Sequence, residues 1–289
     1  MDFFTRCNGY IFSDAFARWF VLAQRIHIKL CALIKNERTF ETFFGYKMRD
    51  KISDFIPKRI FFFGCWEPNM SAFMMRTIKA GDCVVDAGAN VGYHTLLMSH
   101  LVGGGRVVSV EAAPSVFQRL QRNIELNSCT NISAHNVALA GQPGQVRLYE
   151  PRYGDKNSGA ATMLASWGGP QYIMVDSNTL LGVLGADAAK VSFIKIDIEG
   201  AERPILDEII GNRDRFSKPL VVVTEIEDEH LDIVEHFRAA GFECYHLSND
   251  TRLEGYLRRV RTAAVDHPVK LPANNCRPPG AELIFVYDT

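Results

Sequence analysis

The stretch Val84-Val85-Asp86-Ala87-Gly88-Ala89-Asn90-Val91-Gly92 decides the fold of this chain. An apolar run ends in an acid and passes into a turn with two glycines, and a helix is predicted to begin near Tyr93. Because Gly88 and Gly92 carry no side chain, a ligand can approach this turn closely and the helix can direct its unpaired N–H groups at a negative group. The stretch therefore predicts a nucleotide-type cofactor site.

A second acid supports the same interpretation. Glu111 follows the apolar run 106–110, twenty-five positions after Asp86, and a carboxylate at that place can accept both ribose hydroxyls. The spacing Asp86-x-Gly88-x-Asn90-x-Gly92 differs from the Gly-x-Gly-x-x-Gly pattern that holds a pyrophosphate. An acid and an asparagine instead suit a ligand with an ammonium group and a carboxylate, such as the methionine end of S-adenosylmethionine.

Three separated motifs carry a family resemblance. Besides Asp86-Ala87-Gly88-Ala89-Asn90, the chain contains Trp66-Glu67-Pro68 and Phe193-Ile194-Lys195-Ile196-Asp197-Ile198-Glu199-Gly200-Ala201-Glu202. The last resembles the Lys-x-Asp-x-Glu-Gly-x-Glu signature of the FkbM methyltransferases, and the tryptophan motif resembles the aromatic-Glu-Pro element of that family. The resemblance covers roughly residues 40–289.

The resemblance implies a Rossmann-like class I methyltransferase fold of the α/β class. Such a fold has a doubly wound, mostly parallel seven-stranded sheet with a terminal antiparallel hairpin. We expect the S-adenosylmethionine-binding domain over residues 79–289, preceded by an N-terminal helix and β-hairpin extension over residues 1–78. The implied activity is transfer of a methyl group from S-adenosylmethionine to a hydroxyl of a sugar or natural product.

Four predicted strands end in acids: Asp86, Glu111, Asp197 and Glu225. The carboxyl ends of parallel strands meet at one edge of a sheet, where ligands bind in open α/β folds. Carboxylates are tolerated at such buried ends when they are paired or used. We therefore expect the four to surround one site.

The candidate catalytic residues are Asp197, Glu199 and Glu225. Asp197 or Glu199 is the expected base that takes the proton of the acceptor hydroxyl, while Glu225 is either functional or a structural partner of Lys195 or an arginine. Glu202 is expected to complement a helix dipole. The candidate cofactor-binding residues are Glu67, which rests on the resemblance alone, and Asp86, Gly88, Asn90, Gly92, Tyr93, Glu111, Ala112, Ala138 and Asp197.

Alternatives to this function remain open at this stage. Clustered acids can also hold Mg²⁺, although the prediction is a site without metal. A non-catalytic cofactor-binding or scaffold protein would retain the same turn, and an NAD-dependent oxidoreductase would share the fold but lacks the third glycine. The net charge of −1 and the lack of an Asn/Asp-Pro-Pro-aromatic element argue against a nucleic-acid substrate.

Composition agrees with a cytoplasmic enzyme. The chain has 289 residues, 47% of them hydrophobic, which suffices for one large core. Seven cysteines without close pairs indicate a reducing compartment. Residues 11–34 predict a basic amphipathic helix that does not span a membrane; it either packs on the core, which we favour, or makes peripheral membrane contact or covers the substrate.

Secondary structure outside the motifs is predicted from local patterns. Thr39–Met48 and Arg59–Cys65 are predicted as strands of a hairpin, and Ile132–Leu139 as the third strand of the sheet. The Gly-, Ser- and Pro-rich stretch Gln142–Gln171 is either a substrate-recognition insertion or a surface hairpin, and Tyr172–Asp176 is predicted as an edge strand. The loop Ser248–Gly280 is expected to wall the substrate pocket.

Overall fold

A computed structural model describes residues 37–149, 161–166, 168–226, 232–248, 251, 256, 265–272 and 281–288. The predicted amphipathic helix over residues 11–34 lies outside these ranges, as do parts of the stretches 142–171 and 248–280. Within the described ranges, no helix combines the length and apolar character that crossing a bilayer requires.

The described strands and helices alternate along most of the chain. The strands are β1 (Glu37–Glu41), β2 (Lys47–Lys51), β3 (Cys83–Ala87), β4 (Arg106–Val110), β5 (Ile132–His135), β6 (Ala138–Leu139), β7 (Gly144–Tyr149), β8 (Tyr172–Asn178), β9 (Val191–Ile196), β10 (Leu220–Thr224), β11 (Glu243–Ser248), β12 (Val269–Lys270) and β13 (Ala281–Tyr287). The helices are α1 (Phe55–Phe63), α2 (Pro68–Thr77), α3 (Tyr93–Val102), α4 (Pro114–Leu126), α5 (Leu180–Leu184), α6 (Arg203–Gly211) and α7 (Asp232–Ala239).

The central sheet has the strand order β12-β11-β13-β10-β9-β3-β4-β5. Pairing is parallel from β10 through β9, β3 and β4 to β5, and β13 runs antiparallel to both β10 and β11. The predicted doubly wound sheet with an antiparallel hairpin is confirmed. The two-residue strand β12 is an eighth member that the sequence did not predict.

Successive residues of the central strands bury opposite faces of this sheet. In β3, Val84 packs into one apolar cluster and Val85 into another, and Phe193 and Ile194 of β9 divide between the same two clusters. Strands buried on both faces are continuous apolar runs, as parallel sheets covered by helices require. The candidate residues follow these strands, at the carboxyl edge of the sheet.

The N-terminal extension differs from the prediction. Thr39–Met48 contains a turn rather than one strand, because Gly45 adopts φ 85° and β1 pairs with β2 around it. Arg59–Cys65 is not a strand but mostly the end of α1. Ile60 is fully buried there, and Gly64, with φ 70°, donates its N–H to the carbonyl of Ile60 to end the helix.

A second, three-stranded sheet of order β6-β8-β7 lies outside the central one. The predicted strand Ile132–Leu139 is divided between the two sheets, because the Asn136 side chain donates to the carbonyls of Glu111 and Ala112 and interrupts the pairing. Strand β8 lies at the centre of the small sheet, so its prediction as an edge strand is wrong. Strand β7 lies in the stretch predicted as either a substrate-recognition insertion or a surface hairpin, and it forms a hairpin with β8.

Candidate functional site

A cavity of about 340 Å³ opens beyond the carboxyl ends of β3, β4, β9 and β10. This volume is within the range of small-ligand pockets, roughly 300–1,000 Å³. The candidate residues that line it are Glu67, Gly88, Asn90, Glu111, Ala112, Ala138, Asp197, Glu199 and Glu225. The topology thus brings together nine residues from six separate places in the sequence.

The glycine turn after β3 lies directly against the end of β9. Gly88 has φ 81°, and a Cβ atom there would lie 1.7 Å from the carbonyl oxygen of Asp197. Asn90, with φ 51°, donates its backbone N–H to Glu111 Oε2 over 2.9 Å. The turn is therefore fixed on one side by the backbone of β9 and on the other by the acid that follows β4.

Glu111 stabilises the turn and can also accept hydrogen bonds from a ligand. Its Oε1 accepts the N–H of Ala113 over 2.8 Å while Oε2 accepts that of Asn90. Burial raises the pKa of this carboxyl to about 7, although both backbone hydrogen bonds favour the charged form. Because each carboxylate oxygen can accept more than one hydrogen bond, Glu111 can still receive the hydroxyls of a ligand in the cavity.

A buried ammonium group supports the carboxylates on the β9 side. Lys195 is 3% exposed, and its Nζ lies 2.8 Å from Asp197 Oδ2. Burial alone would lower the pKa of Lys195, but Asp197, Glu67, Asp86 and the buried Glu282 of β13 raise it above its usual value. Lys195 is therefore charged, and it fixes the orientation of Asp197.

Glu67 is held at the cavity wall by two elements. Its backbone N–H donates to the hydroxyl of Tyr256 over 3.1 Å, and its Oε2 lies 3.5 Å from His94 Nε2. Burial and the charge of Lys195 lower the pKa of His94 well below its usual value. His94 is thus neutral, and its contact with Glu67 is not an ion pair.

Glu199 lies in a turn that three polar contacts stabilise. The Thr162 hydroxyl donates to the Glu199 carbonyl over 2.7 Å, and Glu202 accepts the N–H groups of Gly200 and Ile198. Glu202 therefore stabilises the turn before α6, whereas its expected effect on a helix dipole stays a prediction. Burial raises its pKa to about 7, against the opposing effect of these hydrogen bonds.

Backbone strain is concentrated at this site. Among the described residues, four that are not glycine have a positive φ: Glu67, Asn90, Glu199 and Ser128. The first three line the cavity. Such conformations cost of order 1–3 kcal/mol each and cluster at functional sites, so the strain independently favours the cavity as the functional site.

The chain is similar to known proteins over the region that builds this cavity. A family model described as "Methyltransferase FkbM domain" matches residues 86–244, which is more than half of the 289 residues. The chain belongs to the FkbM methyltransferase family. The strand order of its central sheet is accordingly that of the class I methyltransferase fold.

Two relatives of this FkbM methyltransferase carry methyltransferase names. "Methyltransferase 1" of Beauveria bassiana is 25% identical over 203 residues, which cover 63% of this chain and 71% of the relative. "Methyltransferase sdnD" of Sordaria araneosa is 24% identical over 202 residues, which cover 60% of this chain and 74% of the relative. A solved S-adenosylmethionine-dependent O-methyltransferase of Thermotoga maritima aligns with a TM-score of 0.46 at 8% identity, covering 89% of this chain and 94% of that one.

Three residues predicted to bind the cofactor of this FkbM methyltransferase do not line the cavity. Asp86 is 1% exposed and accepts a hydrogen bond from the Thr95 hydroxyl, and burial raises its pKa. Gly92, with φ 93°, packs against Leu120. The Tyr93 hydroxyl lies 3.0 Å from the Ser71 hydroxyl, inside the protein. All three residues support the glycine turn on the side away from the cavity.

Sequence reasoning missed an apolar part of the wall. We call it the apolar cover, and it consists of Phe55, Ile56, Trp66, Leu148, Ala161 and Met163. Trp66 adjoins the predicted Glu67 and was detectable from that motif, whereas Leu148, Ala161 and Met163 lie in a stretch whose role was undecided. Sequence spacing carried no signal for them.

The described residues contain no group of three or more His, Cys, Asp or Glu side chains arranged to hold a metal ion. Two acids of the cavity have described partners: Glu111 accepts backbone N–H groups, and Asp197 pairs with Lys195.

Proposed function

We propose that this FkbM methyltransferase transfers the methyl group of S-adenosylmethionine to a hydroxyl of a sugar or natural product. The observation that carries the proposal is the shared cavity. It joins the glycine turn and Glu111 to the acids Asp197 and Glu199, so a nucleoside cofactor bound there would lie in the same cavity as a proton acceptor. The family membership and the names of the two relatives support a methyltransferase.

The wall fits the cofactor in charge and in shape. Glu111 is placed to accept ribose hydroxyls, and Ala112 and Ala138 present small side chains beside it. Bound S-adenosylmethionine would supply an electrophilic methyl group on a sulfonium sulfur. Asp197, oriented by Lys195, offers a carboxylate to a positively charged group of the ligand.

Glu199 is the residue we assign as the base. It lines the cavity from the turn that follows β9, and its strained backbone, with φ 52°, is held by Thr162. Removal of the acceptor proton by such a group contributes typically about 10²–10⁴-fold. Alignment of the acceptor oxygen with the methyl group would supply much of the remaining acceleration.

Calorimetric titration tests the cofactor assignment. We expect S-adenosylmethionine and S-adenosylhomocysteine to bind, NAD not to bind, and Glu111→Ala to weaken both sulfur ligands. Binding of NAD alone would point to an oxidoreductase and refute the proposal.

Turnover tests the base. Glu199→Gln is expected to lower the rate of transfer about 10²-fold or more while cofactor binding persists. Asp197→Asn is the companion variant, because it removes the charge that pairs with Lys195. If both variants bound the cofactor and turned over like the unmodified enzyme, neither carboxylate would be the base.

A further inference from the structure

The apolar cover comes from outside the central sheet. Phe55 and Ile56 begin α1, Trp66 precedes α2, Leu148 belongs to β7, and the segment 161–163 contributes Ala161 and Met163. Leu148 is buried and the other five are partly exposed, so these five retain surface that a ligand can cover. The cover therefore adds an apolar surface to a fold whose own strand ends carry acids.

Two distant parts of the chain form this cover as one surface. Ile56, Trp66, Ala161 and Met163 all pack against the same apolar cluster, of which Leu148 is a member. The rings of Phe55 and Trp66 meet edge to face with centroids 5.7 Å apart. This continuity makes the cover a formed surface for an apolar ligand rather than a set of scattered side chains.

A hydrogen bond connects the apolar cover to the turn that contains Glu199. Thr162 lies between Ala161 and Met163, and its hydroxyl donates to the carbonyl of Glu199. The hydrogen bond holds Ala161 and Met163 beside the turn that carries the proposed base. The cover therefore adjoins the turn of the proposed base, and Ala112 and Ala138 pack with the same apolar cluster.

The charge of the wall disfavours one class of acceptor. Five lining residues are acids, namely Glu67, Glu111, Asp197, Glu199 and Glu225, and none of the lining residues that the structure describes is Lys, Arg or His. An anionic acceptor would lose its hydration without gaining a cationic partner among the described lining residues, and it would face like charges. A phosphate or carboxylate group on the acceptor is therefore unfavourable.

We infer that the acceptor is an uncharged, largely apolar molecule that bears a hydroxyl, rather than a phosphorylated or nucleotide-linked sugar. The inference rests on the proposed function and narrows it. The apolar body of the acceptor lies on the cover, Met163 helps to select it, and its hydroxyl reaches Glu199.

Binding of matched probes tests this inference on the full chain saturated with S-adenosylhomocysteine. The probes are 2-naphthol, 6-hydroxy-2-naphthoate, methyl glucoside and glucose 1-phosphate, measured by calorimetry. We expect 2-naphthol to bind, and 6-hydroxy-2-naphthoate to bind at least about tenfold more weakly, the effect of one charge in a partly buried site. Methyl glucoside and glucose 1-phosphate are expected to bind more weakly than 2-naphthol.

Met163→Arg places a cation on the cover, and Met163→Leu is its matched apolar control. The arginine variant is expected to shift the preference toward 6-hydroxy-2-naphthoate by about tenfold or more, and the leucine variant to leave it unchanged. Equal or tighter binding of the anionic probes by the unmodified protein, no binding of 2-naphthol, or an unchanged preference in Met163→Arg would overturn the inference. Failure of S-adenosylhomocysteine to bind would instead refute the proposed function.

Discussion

Replacement of Gly88 by alanine is expected to damage both stability and the site, because two backbones meet at this point. The added Cβ would lie 1.7 Å from the carbonyl oxygen of Asp197, and such contacts essentially never fall below 3.0 Å. The turn and β9 would have to separate by about 1.3 Å, the difference between these distances. Overpacking of this kind costs about 1–3 kcal/mol, and a left-handed alanine costs about 1–2 kcal/mol.

We therefore expect Gly88→Ala to lower the free energy of unfolding by about 2–5 kcal/mol. For a chain of this size the Tm should fall by roughly 5–15 °C, as followed by calorimetric or circular-dichroism melting. Cofactor affinity should fall as well, because Asp197 directly follows β9. Gly104→Ala is the matched control, since its Cβ would meet nothing within 4 Å. A Gly88→Ala protein with the Tm and cofactor affinity of the control would refute the close contact.

Three further perturbations have directions that the structure determines. Arg119→Ala removes the guanidinium beside the fully buried Asp50 and should lower the free energy of unfolding by about 3 kcal/mol in urea titration. The pKa of Glu111 is about 7 in the folded protein against an ordinary 4.5, so the folded state retains a proton that the unfolded state releases. Stability of the ligand-free protein should fall as pH rises from about 4.5 to 7, and less steeply in Glu111→Gln. Thr162→Val removes the hydrogen bond to Glu199 and should lower kcat about tenfold with unchanged cofactor affinity.

Each of these perturbations has a control. Arg203→Ala breaks ion pairs with Asp207 and Asp232 at the surface and should cost less than about 1 kcal/mol; an equal loss in both arginine variants would contradict the role of burial. Thr162→Ser retains the hydroxyl and should restore kcat. An unchanged pH slope in Glu111→Gln would mean that this carboxyl titrates normally in the folded protein.

The central sheet was predictable because its strands are buried on both faces. Val191–Ile196 and Leu220–Thr224 are nearly continuous apolar runs, and their acids follow at the carboxyl edge as parallel pairing requires. The secondary structure of the N-terminal extension was harder to predict. The three phenylalanines at the end of α1 have high strand propensity, whereas Ile60 packs with helical geometry. Tertiary packing there overrides local preference.

The candidate site was predictable in outline but not in its assignment of roles. A glycine motif does not show which of its residues face the cavity, and Asp86, Gly92 and Tyr93, which are predicted to bind the cofactor, do not line it. Contacts between distant segments, such as that between Thr162 and Glu199, leave no trace in local spacing. The same holds for Tyr256, which reaches Glu67 across 189 positions.

The position of β13 has a consequence for how the protein is made. This strand lies between β10 and β11, both of which precede it in the chain. With synthesis at about 5–20 residues per second, the residues between Ser248 and Ala281 delay it by roughly two to seven seconds. During that interval the nascent sheet lacks the strand between β10 and β11. The unpaired edges of these two strands invite pairing with other chains. Chaperone occupancy of nascent chains should therefore peak between these two points of translation and decline once residues 281–287 emerge.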